Sequence, residues 1–248
     1  MAAWSGEMSE PTNSDVLWGK IRLAEGRLFS VTEIFWNHPA LAQLFPRFLI
    51  QAFCIMRLGL TLMHDASLQA LDLTERGDTT ACELTRYLQK HLAEEQGHDL
   101  WLLEDIRTLG YTDEQVLCAR PCVATINLIG AQYFWMRHTH PVTIMGYLTL
   151  MEGYAPLTSQ LGQIRARTGA PETAFRCLCR HADDDPAHSA ELNYTLNKMA
   201  LSSEQVKALG LSAFAAIEGL STMFEELMAT LPPDPENDLQ KEAVHALA

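Results

Sequence analysis

Three stretches of the chain carry side chains of the kind that bind metal ions. In HLAEEQGHDLWLL, His91, Glu94, Glu95 and His98 fall within eight positions. At 100° per residue their offsets of three, four and seven put them within about 60° of one another on a helix. CRHADDDPAHSAEL repeats the arrangement, with His181, Asp185 and His188 at offsets of four and seven. Between the two, Glu152 ends the apolar run MGYLTLMEG, where an acid opposes the helix dipole and burial without a partner is costly. A cation would supply that partner.

Imidazoles mixed with carboxylates suit iron, manganese or zinc. A carboxylate and an imidazole three apart, as in Glu95 and His98, is the spacing with which helical bundles aim two ligands at one metal. Taken singly, each stretch also reads as a solvated, charged helix face. Taken together they offer three histidines and two or three carboxylates, a set that could hold two irons with positions left open for oxygen. A zinc hydrolase needs fewer.

The elements that must position these groups are helices. Apolar residues recur with the helical period almost throughout, and alternating β-branched runs are missing. The pattern predicts an all-α chain with seven helices near 14–37, 41–72, 79–109, 123–153, 157–167, 171–198 and 203–231. Thr112 or Asp113, and Ser202 or Ser203, offer N-caps, and LPPDPEND stops the last helix. No linker or repeat divides the chain, so a single helical domain over 1–248 is expected, with flexible tails at about 1–13 and 232–248. Pro186 cannot donate to the carbonyl of Ala182 and crowds it, so the helix carrying His181 and His188 should kink or restart there. Three consecutive aspartates beside the proline repel one another, which makes this segment a helix conditional on metal.

Eighteen Lys plus Arg against thirty-one Asp plus Glu give a net charge of -13, unfavourable for nucleic acid or an anionic membrane. The apolar runs LSAFAAI and LIGAQYFWM are shorter than the roughly 20 residues that span a bilayer. The start, MAAWSGEMSEPTNSD, lacks a basic n-region and an apolar h-region. Six scattered cysteines read as reduced thiols rather than a disulfide framework or a zinc site. A soluble, cytoplasmic protein acting on a small molecule is expected, with a homodimer as the default assembly.

Other groups invite weaker readings. Tyr133, Phe134 and Trp135 suit a core before a pocket. His138 and His140 are set apart from Glu152 by Pro141. Arg137 suits a surface ion pair, whereas Arg57, inside FCIMRLGLTLMHD, needs either a structural acid or a substrate carboxylate. Met56, Met63, Met145 and Met151 suit a core or an adaptable pocket wall.

The ligand pattern resembles that of the heme-oxygenase-like di-iron oxidases and oxygenases, the iron-containing redox enzymes. That family places a Glu and a His on one core helix, a lone Glu later, and H-x3-D-x2-H on a third. Glu95 with His98, then Glu152, then His181, Asp185 and His188 follow it in order, and the likeness runs from about residue 25 to residue 230. Some members carry their first carboxylate seven residues before the histidine, where this chain has His91. The resemblance implies a seven-helix, heme-oxygenase-like bundle binding two Fe(II) ions, with O2 as co-substrate. Its ligands would be Glu95, His98, Glu152, His181, Asp185 and His188, with Glu152 bridging. His91 would be a possible seventh ligand, and Glu94 an alternative to Glu95. The implied chemistry is N-oxygenation of an amine or amino acid, oxidative decarboxylation of an alkyl carboxylic acid, or carbon–carbon cleavage, in the biosynthesis of a specialised metabolite. A thiaminase-like enzyme on the same fold and a non-catalytic iron-binding protein are the rival expectations.

Overall fold

A computed structural model describes residues 10–154 and 158–231. The described residues contain helices and no strand. In chain order these are α1 (Asn13–Ala24), α2 (Gly26–Trp36), α3 (Leu41–Glu75), α4 (Thr79–Glu95), α5 (His98–Arg107), α6 (Asp113–Leu117), α7 (Val123–His138), α8 (Ile144–Gly153), α9 (Thr158–Thr168), α10 (Arg176–Lys198) and α11 (Ser203–Ala229).

The expectation of seven helices is therefore corrected upward, and the extra ends have local causes. The expected helix at 14–37 divides at Glu25, where backbone bonds on either side keep α1 and α2 nearly continuous. That at 79–109 breaks at Gly97, whose φ of 96° is left-handed and favours glycine. That at 123–153 breaks before Pro141, where His140 accepts the Val142 N–H and opens a 3₁₀ turn. The short α6 follows a capping box formed by Thr112 and Gln115, and Ser202 with Gln205 starts α11 in the same way. The expected flexibility of 1–13 and 232–248 lies largely outside the described residues, but Thr12 caps α1.

Helix α3 runs through the bundle against α4, α5 and α7, and α11 packs on α1, α2, α7 and α8. Leu44, Phe45, Leu49 and Leu62 of α3 are fully buried. By length and composition α3 is apolar enough to cross a membrane, a property that the scan of short apolar runs missed. In the bundle it is the central core helix.

Helix α10 runs unbroken with Pro186 inside it, so the predicted restart does not occur. Packing supplies what local propensity lacks. At the helix start, the buried Asp105 of α5 accepts the Cys177 N–H at 2.7 Å and the Arg176 Nε–H at 3.0 Å. At its end, Asn13 of α1 donates to the carbonyls of Leu196 and Met199, and Trp18 Nε1 donates to Asn193. Lys90 of α4 pairs with Glu191 midway. Removing the Asp105 carboxylate leaves a buried N–H without its acceptor, so Asp105→Ala is expected to cost about 1–3 kcal/mol. The shift of the denaturation midpoint measures it, and an unchanged midpoint would show that the pin is dispensable.

Candidate metal centre

Four helices bring the seven residues singled out in the sequence into one cluster. His91 and Glu95 come from the last turns of α4, His98 opens α5, Glu152 lies in the last turn of α8, and His181, Asp185 and His188 lie along α10. The premise of one continuous helix through Glu95 and His98 fails, since Gln96 and Gly97 interrupt it. Their side chains meet nonetheless, with His98 Nδ1 2.9 Å from Glu95 Oε2.

The cluster has two halves. In one, Glu95 Oε2 faces His98 and, at 3.9 Å, His181 Nε2. In the other, Glu152 Oε1 lies 3.3 Å from His91 Nε2, and Glu152 Oε2 lies 3.3 Å from His188 Nδ1. Glu95 Oε1 reaches across to His188 Nδ1 at 3.6 Å. Ligand-sized groups follow: Glu95 with His98 and His181; Glu95 with His91 and His188; and Glu152 with Asp185 and His188, the atoms of each lying within 4.8 Å of one another. The carboxylate that spans both halves is thus Glu95, whereas the sequence reading gave that place to Glu152. Glu94 stands outside these groups; its side chain is 36% exposed against 13% for Glu95, and it pairs with Lys90.

Surrounding groups fix the rings. His181 Nδ1 is 2.9 Å from the Cys177 carbonyl, leaving Nε2 for the cluster. His98 stacks on Trp101 and His91 on Tyr87. Burial pushes the Glu95 carboxyl up, but the His181 and His98 imidazoles beside it win and hold it well below the usual range. Glu152 shows the same opposition, lowered by His188 and His91. At Asp185 the balance reverses: burial, then the Glu152 charge, outweigh the His181 and His188 imidazoles and push its carboxyl up to about 7. The His188 imidazole is raised by its bond to Glu152, against burial.

Whether a metal fits can be tested on the unmet polar atoms. Among the described residues, the buried side-chain polar atoms without a hydrogen bond are Tyr87 Oη, both nitrogens of His91, Glu95 Oε1, His98 Nδ1 and Asp185 Oδ1. All but the Tyr87 hydroxyl belong to the cluster, and Tyr87 stacks on His91. Orphaned buried groups are rare and cost about 1–3 kcal/mol each. Several donor atoms that close on one another without hydrogen-bond alignment suit a shared cation, so the residues fit iron.

The remaining groups take other places. His140 Nε2 is 3.3 Å from Asp78, and Arg137 is exposed on α7. Tyr133 donates to Asp65, and Phe134 is largely exposed. Arg57 lies over Phe53, half-exposed, with Nε 4.0 Å from Asp99. Met145 is core, while Met56, Met63 and Met151 line a cavity beside the cluster. All six cysteines are free thiols. Sequence reasoning missed Asp99 and Tyr147, which also line the cavity. Adjacency to His98 and position on the Glu152 helix were the available signals.

The profile of a family described as an iron-containing redox enzyme matches residues 76–221, which include the whole cluster. The fold is similar to that of a domain of unknown function with a heme oxygenase-like fold from Shewanella denitrificans OS217. That match has a TM-score of 0.68 at 19% identity and covers 86% of this chain and 88% of that one. It is also similar to a TenA homolog from Pseudomonas syringae pv. tomato DC3000, with a TM-score of 0.65 at 14% identity, covering 92% and 98%. No curated protein matches the chain.

Proposed function

Because the chain belongs to the iron-containing redox enzyme family, we propose that it is an O2-dependent non-heme di-iron oxidoreductase acting on a small amine, amino acid or alkyl carboxylic acid. The observation that carries this reading is the convergence of unpartnered buried nitrogen and carboxylate oxygen atoms in one cluster. Glu95, His98 and His181 would hold one ion. Glu152, Asp185 and His188 would hold the other with His91 as a further nitrogen, and Glu95 would be shared.

Two ferrous ions bound there supply electrons and open coordination positions to dioxygen. The protein's own residues do the rest. The Cys177 carbonyl orients the ring of His181. Residues of α3 form the apolar side of the cavity beside the cluster. With its net charge of -13, the chain suits a small-molecule substrate better than a polyanion.

Anaerobic loading with ferrous iron followed by rapid mixing with oxygen tests the proposal. Uptake near two ions per chain and a transient visible absorption band are expected. No uptake sinks the reading, and uptake with no reaction makes this an iron-binding protein. His188→Ala is expected to lose one ion and oxygen reactivity while keeping its helical circular dichroism; full metal content would remove His188 from the centre. The thiaminase-like alternative requires a reactive cysteine in the cavity. Cys177, the cysteine nearest the cluster, is fully buried and outside the cavity wall, and burial pushes its thiol up.

A further inference from the structure

Between α3, α5, α8 and α10, beside the cluster, lies a cavity of about 120 Å³. Met56, Leu60, Met63 and Met151 form much of its wall, a flexible apolar surface that moulds itself to a slender chain. Its polar lining consists of cluster residues and two groups that the cluster does not use, Asp99 and Tyr147. Tyr147 is 3% exposed, and its hydroxyl lies 3.3 Å from where a Cβ on Gly59, another wall residue, would stand.

Four carboxylates (Glu95, Asp99, Glu152 and Asp185) and two imidazoles (His98 and His181) face the cavity, and neither Lys nor Arg does. With both imidazoles and three of the carboxylates committed to metal, Asp99 is the charged group that remains. Its nearest cation, Arg57, lies outside the wall, half-exposed and 4.0 Å away, a distance and setting at which water screens the pair. A carboxylate substrate would call for a basic clamp in the wall, and the wall has none.

We propose that this cavity selects an aliphatic amine over a carboxylic acid, with the chain along the methionine wall and the ammonium group on Asp99. This rests on the cavity being the substrate site of the proposed oxidoreductase. The test uses anaerobic, iron-loaded protein whose metal content is measured first, titrated calorimetrically with n-hexylamine and with hexanoate. The amine is expected to bind at least about tenfold more tightly. Asp99→Asn should remove most of that preference with iron content unchanged, while Tyr147→Phe, which deletes a neutral group, should weaken both ligands alike. Tighter binding of hexanoate, through the metal itself, overturns the proposal, as does a preference that survives Asp99→Asn. Failure of iron loading, measured before the titration, sinks the di-iron reading and this proposal with it, whereas a hexanoate preference on loaded protein overturns this proposal alone.

Discussion

Glu95→Ala is expected to abolish stable iron loading and to cut oxygen consumption by about 100-fold or more, since even groups that only support a ligand change metal affinity by about 10–100-fold. Among the described residues Glu95 is the carboxylate that belongs to two of the three ligand-sized groups. Its loss removes an anion from both halves and leaves His98, His181 and His188 facing an uncharged gap. Glu95→Gln keeps the shape and one weak oxygen ligand, so it separates loss of charge from loss of packing. Iron per chain and oxygen uptake, with circular dichroism as the fold control, decide the matter. Wild-type iron content in Glu95→Ala would remove this residue from the centre and with it the shared-carboxylate arrangement.

The second large effect is expected at a residue that is not itself a ligand. Gly146 of α8 packs so closely on α11 that a Cβ there would overlap the Leu209 carbonyl oxygen and lie 3.1 Å from the Ala213 nitrogen. Both obstacles are backbone, which cannot swing aside as a long side chain can. Gly146→Ala should force the two helices apart at a cost of about 3 kcal/mol, at the upper end of overpacking effects. For a chain of this size that is a fall in Tm of roughly 6–12 °C. Glu152 sits on the same short helix, so the displacement should weaken iron at the His91, Asp185 and His188 half more than at the Glu95, His98 and His181 half. An unchanged Tm would refute the account of the contact, and equal loss at both halves would refute the coupling.

Much of this was legible in the residues. The all-helical character followed from periodicity, and His181, Asp185 and His188 face one cluster because α10 keeps its phase through Pro186. That persistence was itself unreadable locally. A proline rule predicts a break, and anchors from α1, α4 and α5, distant in sequence, override it. The choice among His91, Glu94 and Glu95 was also closed to the sequence, since all three share a face. Burial separates them, and burial depends on where α10 lies. The break at Gln96 and Gly97 is hidden for another reason: it leaves the apolar period on either side almost unchanged, and only the extended backbone of Gln96 and the left-handed backbone of Gly97 part α4 from α5.

That glycine has a consequence for how such a centre can change over time. Glu95 and His98 bracket a two-residue joint instead of riding one rigid rod. Torsion at Gln96 and Gly97 can therefore re-aim one donor against the other while α4 and α5 keep their seats in the core. Selectivity among cations of different size would then be open to drift through a single flexible link, without the rest of the interior having to be repacked.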